Sequence, residues 1–313
     1  MKYKYILYAV CMSVIFPALV CSVYFRIGKQ QNSAEVIPQP SVQEMASAMV
    51  AVIVGDSPVQ MELESYITGV VLAEMPASFH LEALKAQAVV ARTFTLKRSE
   101  APKHANADVC TDYTCCQAYC SIAQYLDDGG TQESVDKVIE AVTATKGQVL
   151  VYQGELIEAT YFSCSGGRTE DALAVWGSDV PYLSAVNSPG EEGATHFTDT
   201  VSFTIQTFCD RLDLPQQTLS IGAITYTNGQ GVATIDINGI TYKGTTVRSL
   251  LGLRSTVFVI TPVGKNVIIT TKGFGHRVGM SQYGADAMAE RGSGYEEILF
   301  HYYNGTELRT DKP

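Results

Sequence analysis

Apolar residues run almost unbroken from Tyr5 to Phe25, with Lys2 and Lys4 before them and Arg26 and Lys29 after. About 20 such residues span a bilayer. Ala18-Leu19-Val20-Cys21 offers neither a small-x-small exit nor a lipobox, so residues 1–29 read as a retained signal anchor, a single-pass transmembrane helix in the cell membrane. Basic residues on both flanks leave its orientation open. The pattern then turns polar, and residues 30–48, with Pro38 and Pro40, have the composition of a linker.

From Met49 the periodicity changes again. Val50, Val52 and Val54 alternate with smaller neighbours before Gly55-Asp56, which predicts a strand and a turn. Leu63, Tyr66, Ile67, Val70 and Val71 recur at helical spacing, and Pro76 ends that helix near Glu74. Ser78 is the expected N-cap of a second helix that places Leu84, Ala88, Ala91 and Thr95 on one side and runs to about Arg98. Glu74 therefore sits at a corner.

Residues 101–130 are rich in Cys, Asp, Thr and Gly and read as a loop insertion that needs cross-links or a metal to hold its shape. Helical spacing returns from Val135, followed by a strand over 148–152 and a turn at Gly154-Glu155. Between Phe197 and Lys272, β-favouring residues surround two hairpin signals, Asn228-Gly229 and Asn238-Gly239. Strands after a helical start, with helices again at the end, predict an α+β domain over residues 49–313. We expect two lobes, with Glu74 at the floor of a substrate groove walled by the second helix and by the loops at Gly166 and His276.

With 313 residues, 46% of them hydrophobic, the chain can bury a substantial core. A formal net charge of -10 argues against a nucleic-acid partner, which demands clustered Lys and Arg.

Several residues carry chemical promise. Glu74 lies among Val70, Val71, Leu72 and Met75, where partial burial would raise its pKa toward the range useful to a general acid. Lys85 and Arg92 fall on nearly the same side of the second helix and suggest a basic face. Ser163, Ser165, Gly166, Gly167 and Arg168 form a turn whose amides and hydroxyls suit a sugar or a lactyl carboxylate. No Gly-x-Ser-x-Gly elbow supports a serine nucleophile there. His276 follows Gly273 and Gly275, which let backbone approach a ligand, and Gln282 and Tyr283 can hydrogen-bond and stack on sugar rings. His104, Cys110 and Cys116 stand at equal intervals, with Cys115 and Cys120 as substitutes. Such soft donors favour zinc, while an oxidising compartment would favour disulfides; spacing leaves both open.

Three blocks together resemble one family. They are the segment from Tyr66 through Glu74-Met75-Pro76 to Arg92-Thr93, the segment Tyr161 to Thr169, and the segment Gly273 to Ala285, supported by Trp176-Gly177, Pro181-Tyr182-Leu183 and Ile298 to Tyr303. They resemble the stage II sporulation protein D family over nearly all of the chain from residue 50 onward. The resemblance implies a lytic transglycosylase, a lyase that cleaves between N-acetylmuramic acid and N-acetylglucosamine of peptidoglycan and leaves a 1,6-anhydro sugar. It assigns the acid and base to Glu74 and a cationic wall to Lys85 and Arg92. Some clostridial-type relatives are similar around His104 and bind zinc near the cleft, which implies one Zn2+ in a structural or cleft-shaping role. Many members carry Gly where this chain has Arg277. The implied partners are denuded glycan strands and the stage II sporulation proteins M and P, on the mother-cell side of the engulfing septum.

Two other readings compete. Some proteins with this domain resemble binding modules that stimulate a cell-wall amidase without cutting glycan. A zinc-dependent wall hydrolase is the other, and it lacks a His-Glu-x-x-His helix.

Overall fold

Pro76 shapes the first corner of the fold. It forces Met75 into extended backbone (φ -123, ψ 139), and the Met75 amide closes helix α1 (Leu63–Glu74) on the Val71 carbonyl. Glu74 is thus the last helical residue, as the periodicity predicts. At the other end the Glu62 carboxylate accepts from the Ser65 amide at 2.8 Å and caps the helix. Helix α2 (Leu81–Glu100) begins two residues later than expected: the cap is His80 rather than Ser78, with His80 Nδ1 accepting from the Glu82 amide.

The computed structural model describes residues 49–215 and 219–310. The anchor expected over 1–29 and the linker over 30–48 lie outside them. The single-pass membrane placement is corrected here: among the described residues no helix is long and apolar enough to cross a membrane.

The architecture is mixed α and β, with small open sheets and, among the described residues, no closed barrel. β1 (Met49–Val54) pairs antiparallel with β2 (Ser57–Glu62) and parallel with β3 (Val109–Cys110). α3 (Ile122–Asp127) and α4 (Gln132–Ala144) follow, then β4 (Val149–Tyr152) and β5 (Glu155–Leu156), β6 (Tyr161–Phe162) and α5 (Ala172–Trp176). The next stretch holds β7 (Thr198–Thr204), α6 (Ile205–Arg211), β8 (Ile221–Tyr226), β9 (Val232–Ile237), β10 (Ile240–Lys243), α7 (Gly244–Leu251), β11 (Val257–Val263) and β12 (Asn266–Lys272). β13 (Met280–Ser281), α8 (Gln282–Glu290), α9 (Tyr295–Tyr302) and β14 (Glu307–Arg309) complete it.

Two hydrophobic clusters form. Helix α2 is the hub of the first, where Leu84, Val89 and Val90 meet Ile67 and Val70 of α1, Val138 of α4 and Ile298 of α9, all buried. Each such side chain contributes roughly 1.5–3 kcal/mol of transfer free energy. The second cluster joins Phe208, Ile235, Val247, Phe258, Val267 and Ile269. Both Asn-Gly steps lie in antiparallel hairpins, β8 to β9 and β9 to β10. The stretch expected to be strands alone also contains α6 and α7, because Val247 and Leu251, one helical turn apart, bury one side against β9.

Candidate active site

A pocket of about 540 Å³ opens beside the α1 corner. Its wall brings together Glu74, Cys116, Ser163, His276 and Gln282 from the expected set, and adds Tyr161 and Arg248.

Glu74 projects from the last position of α1, half-buried. Its Oε1 accepts from the Ala118 amide at 2.7 Å. Burial raises its pKa above the ordinary carboxyl value, and the Ala118 amide and the Tyr161 and Gln282 side chains pull it back only in part. Tyr161 donates to Gln117 Oε1 at 3.2 Å, and burial pushes its own hydroxyl well above the usual range. Gln282 is 6% exposed in the wall of the pocket, with its side-chain amide turned to the Glu74 carboxyl.

His276 is held neutral. Burial, with the nearby Arg248 charge, lowers its pKa to about 4, against a backbone hydrogen bond at Tyr161. Nδ1 accepts from the Val278 amide at 3.1 Å, which leaves the ring proton of the neutral form on Nε2. Phe162 and Trp176 pack against the ring at 5.7 and 5.3 Å.

Arg277 turns away from the pocket. It holds a left-handed backbone (φ 68) of the kind glycine adopts without strain, and its side chain is 1% exposed. Nε donates to the Ser165 carbonyl at 2.8 Å, Nη2 to the Arg168 carbonyl at 2.8 Å and to the Gly229 carbonyl, and Glu170 lies at 3.8 Å. It braces the 165–168 turn to the β8–β9 hairpin.

That turn departs from expectation. Its amides are already filled by an internal anion, since Glu191 Oε2 accepts from the Ser165 amide at 2.7 Å, the Ser165 hydroxyl at 2.8 Å and the Gly166 amide at 3.0 Å. The Gly167 amide donates to Ser165 Oγ. Ser188 donates to Glu191 Oε1 at 2.5 Å and lies 2.6 Å from the Tyr302 hydroxyl, which links the turn to α9. Arg168 is spent on the Asn228 and Ala185 carbonyls and on Asn187 Oδ1. Gly166 and Arg168 line a separate, smaller pocket with Arg277.

The expected basic face does not form. Arg92 is 0% exposed, with Nε and Nη2 paired to the two Glu64 oxygens at 2.9 and 2.6 Å and Nη1 on the Gln148 carbonyl at 3.1 Å. No ligand reaches it. Lys85 pairs with Glu82 at 2.6 Å beside the Tyr295 ring, outside the pocket wall. Tyr283 also stands apart, packed edge-on against Phe79.

His104, Cys110, Cys115 and Cys116 bring their ligand atoms within 4.8 Å of one another. Cys115 and Cys116 Sγ lie 3.7 and 3.6 Å from His104 Nε2, and 3.9 Å from each other. A tetrahedral site with metal–sulfur bonds near 2.3 Å needs ligand separations of about 3.8 Å. A disulfide needs about 2.05 Å. The six cysteines from Cys110 onward are free thiols, and the cluster fits a metal ion. Cys115 joins the three residues expected, because the turn at Asp112, whose carbonyl accepts from the amides of both Cys115 and Cys116, presents neighbouring thiols to one centre.

Sequence reasoning missed Arg248, Tyr161 and Glu191. Tyr161 sits in a block already singled out; Arg248 and Glu191 lie in stretches whose local pattern carries no sign of a site.

The family model described as Stage II sporulation protein matches residues 57–152. The chain is 41% identical over 236 residues to stage II sporulation protein D of Bacillus subtilis (strain 168), covering 72% of this chain and 68% of that protein. It is 40% identical over 235 residues to stage II sporulation protein D of Bacillus amyloliquefaciens, with the same coverage of 72% and 68%. Against the amidase enhancer of Bacillus subtilis (strain 168) it is 31% identical over 284 residues, 72% of this chain but 38% of that protein.

Proposed function

The chain belongs to the stage II sporulation protein D family, and from that premise we propose that it is a peptidoglycan lytic transglycosylase acting in sporulation, with Glu74 as both acid and base. The observation that carries this reading is the lone carboxyl. Among the residues lining the pocket Glu74 is the only carboxylate, and burial favours its protonated form. A glycosidase that uses water normally needs two carboxyl groups, one to protonate the leaving oxygen and one to activate water or attack the sugar. One suffices when the sugar's own C6 hydroxyl attacks: Glu74 donates its proton to the leaving oxygen, then accepts the C6 hydroxyl proton as the 1,6-anhydro ring closes. The Gln282 amide steadies the Glu74 carboxyl, and the neutral His276 ring is suited to orienting the sugar's hydroxyl and acetamido groups without adding charge beside the acid.

The substrate in this reading is denuded glycan between N-acetylmuramic acid and N-acetylglucosamine, and the family supports stage II sporulation proteins M and P as partners. The metal is zinc, held by His104, Cys110, Cys115 and Cys116. Four protein donors leave no open position for an activated water, so a bound zinc would cross-link the 101–130 insertion rather than take part in the cleavage. Cys116 lines the pocket as well, so that cross-link also shapes the cleft.

A second reading is supported by the likeness to the amidase enhancer: a module that holds glycan and stimulates a cell-wall amidase. Such a module needs the pocket but not a protonatable carboxyl in it. Mass spectrometry of denuded strands incubated with the chain and with its Glu74→Gln variant separates the two. New 1,6-anhydro ends with the parent and none with Glu74→Gln support cleavage; intact strands that remain bound to both favour the module.

A further inference from the structure

Arg248 has no part in the chemistry above. It extends from α7 into the wall of the pocket that holds Glu74 and His276. Its Nε donates to the Leu253 carbonyl at 3.3 Å, and among the described residues neither Nη1 nor Nη2 has a hydrogen-bond or ion-pair partner. Burial pulls its pKa below the ordinary arginine value, so the cation is partly stripped of water without a counter-anion to replace it. Arg92 and Arg277 differ on this point, since each faces a glutamate. A guanidinium with both Nη groups free in a pocket wall is built for a planar, two-oxygen anion.

The proposed substrate supplies one. A strand of alternating N-acetylglucosamine and N-acetylmuramic acid is uncharged along its sugars except at the lactyl carboxyl, which is ionised only where the stem peptide has been removed. The turn expected to receive that group cannot do so, because Glu191 fills its amides and Arg168 is bound elsewhere. Resting on the glycan-cleaving reading, we propose that Arg248 binds the lactyl carboxylate of an N-acetylmuramic acid residue in the pocket and thereby selects strands stripped of their peptides. A stem peptide converts that carboxylate into a neutral amide. The charge-assisted hydrogen bonds are then lost, and Arg248 is covered with no anion to meet it.

The test measures affinity by calorimetry on the full chain carrying Glu74→Gln, so that strands bind without being cut. Three probes of equal length are compared: a strand with free lactyl carboxyls, the same strand with those carboxyls amidated, and a chitin oligosaccharide that has no lactyl group. The free-carboxyl strand binds best, and adding Arg248→Gln weakens it by about tenfold or more while the other two change by less than about twofold. Arg248→Lys recovers part of the loss, since it restores charge without the fork. Equal losses on all three probes would mean a packing role, and no loss on any would mean an idle cation; either result overturns the proposal. Its fate is separable from that of the cleavage reading. A parent chain that cuts strands with no preference for free carboxyls overturns the Arg248 subsite alone, whereas an Arg248-dependent preference in a chain that cuts nothing upholds the subsite within a binding module.

Discussion

The Ala118 amide donates to Glu74 Oε1 across 2.7 Å, so the carboxyl at the end of α1 is held by the Cys-rich insertion and not by its own helix. Gly69 makes the contact possible. A side chain there would strike the Tyr119 ring and the Cys120 carbonyl, and in its absence the Cys120 amide reaches the Gly69 carbonyl at 3.1 Å.

Glu74 must enter the proposed cycle protonated. Its pKa is raised, so the rate is retained past the ordinary carboxyl range and is lost as pH rises through the folded value. We expect kcat/KM on denuded strands to fall on the alkaline side with a midpoint above 4.5, the ordinary value. A midpoint at or below 4.5 in a pH–rate profile would contradict this.

The same shift has a consequence for stability. A carboxyl whose folded pKa lies above its unfolded one binds protons more tightly in the folded state, so its contribution is present at low pH and is lost as pH rises from the unfolded to the folded value. Glu74→Gln removes that penalty. The variant should therefore melt above the parent at neutral pH, with the gap closing below about pH 4. Thermal denaturation across this range checks it, and a variant that melts lower at neutral pH would refute it.

His276 runs the opposite way. Its pKa is lowered to about 4, so the folded state resists a proton that the unfolded chain accepts at its ordinary value of 6.5. Stability should fall as pH drops from 6.5 toward 4 and then level off. Following the His276 ring by NMR titration should place its midpoint well under 6.5.

Metal removal should loosen the insertion and, through Ala118, misplace Glu74. Elemental analysis is expected to find about one zinc per chain. Cys115→Ser or Cys116→Ser should lose most of it, lower the melting temperature and slow cleavage, with the circular dichroism of the remaining helices kept. Full metal content in Cys115→Ser would remove that residue from the ligand set.

Arg92→Ala should act on the fold. It leaves the Glu64 carboxylate, 9% exposed, without its cation, and such a break costs about 3–5 kcal/mol. Urea denaturation measures this loss. If Arg92→Ala kept its stability and lost only glycan affinity, the basic-face expectation would return.

Local signals in the sequence were strong where the structure is local. Pro76 ends α1 at Glu74, and Asn228-Gly229 and Asn238-Gly239 lie where hairpins turn, because each depends on the backbone preferences of one or two residues. What helical spacing could not give is which side of α2 meets solvent. That helix is covered by α1, α4, α8, α9 and β4, so Arg92 points into the core and finds Glu64, a partner from another helix. The Ser165–Gly166 turn does have the anion-binding shape its composition suggests, but its anion comes from Glu191, far along the chain. Arg248 escapes the sequence for a related reason: the β-favouring residues around it predict strands where α7 forms.

The contact between Ser188 and Tyr302 makes the cleft depend on a distant part of the chain. A chain leaving the ribosome carries Glu74 early, but the turn bearing Ser163 and Ser165 is held through Glu191 and Ser188 by a hydroxyl on α9. Domains fold as units during synthesis. A nascent chain that stops before residue 302 thus has its acid and no finished cleft around it, so the cleft depends on α9 as much as on the helix that carries the carboxyl.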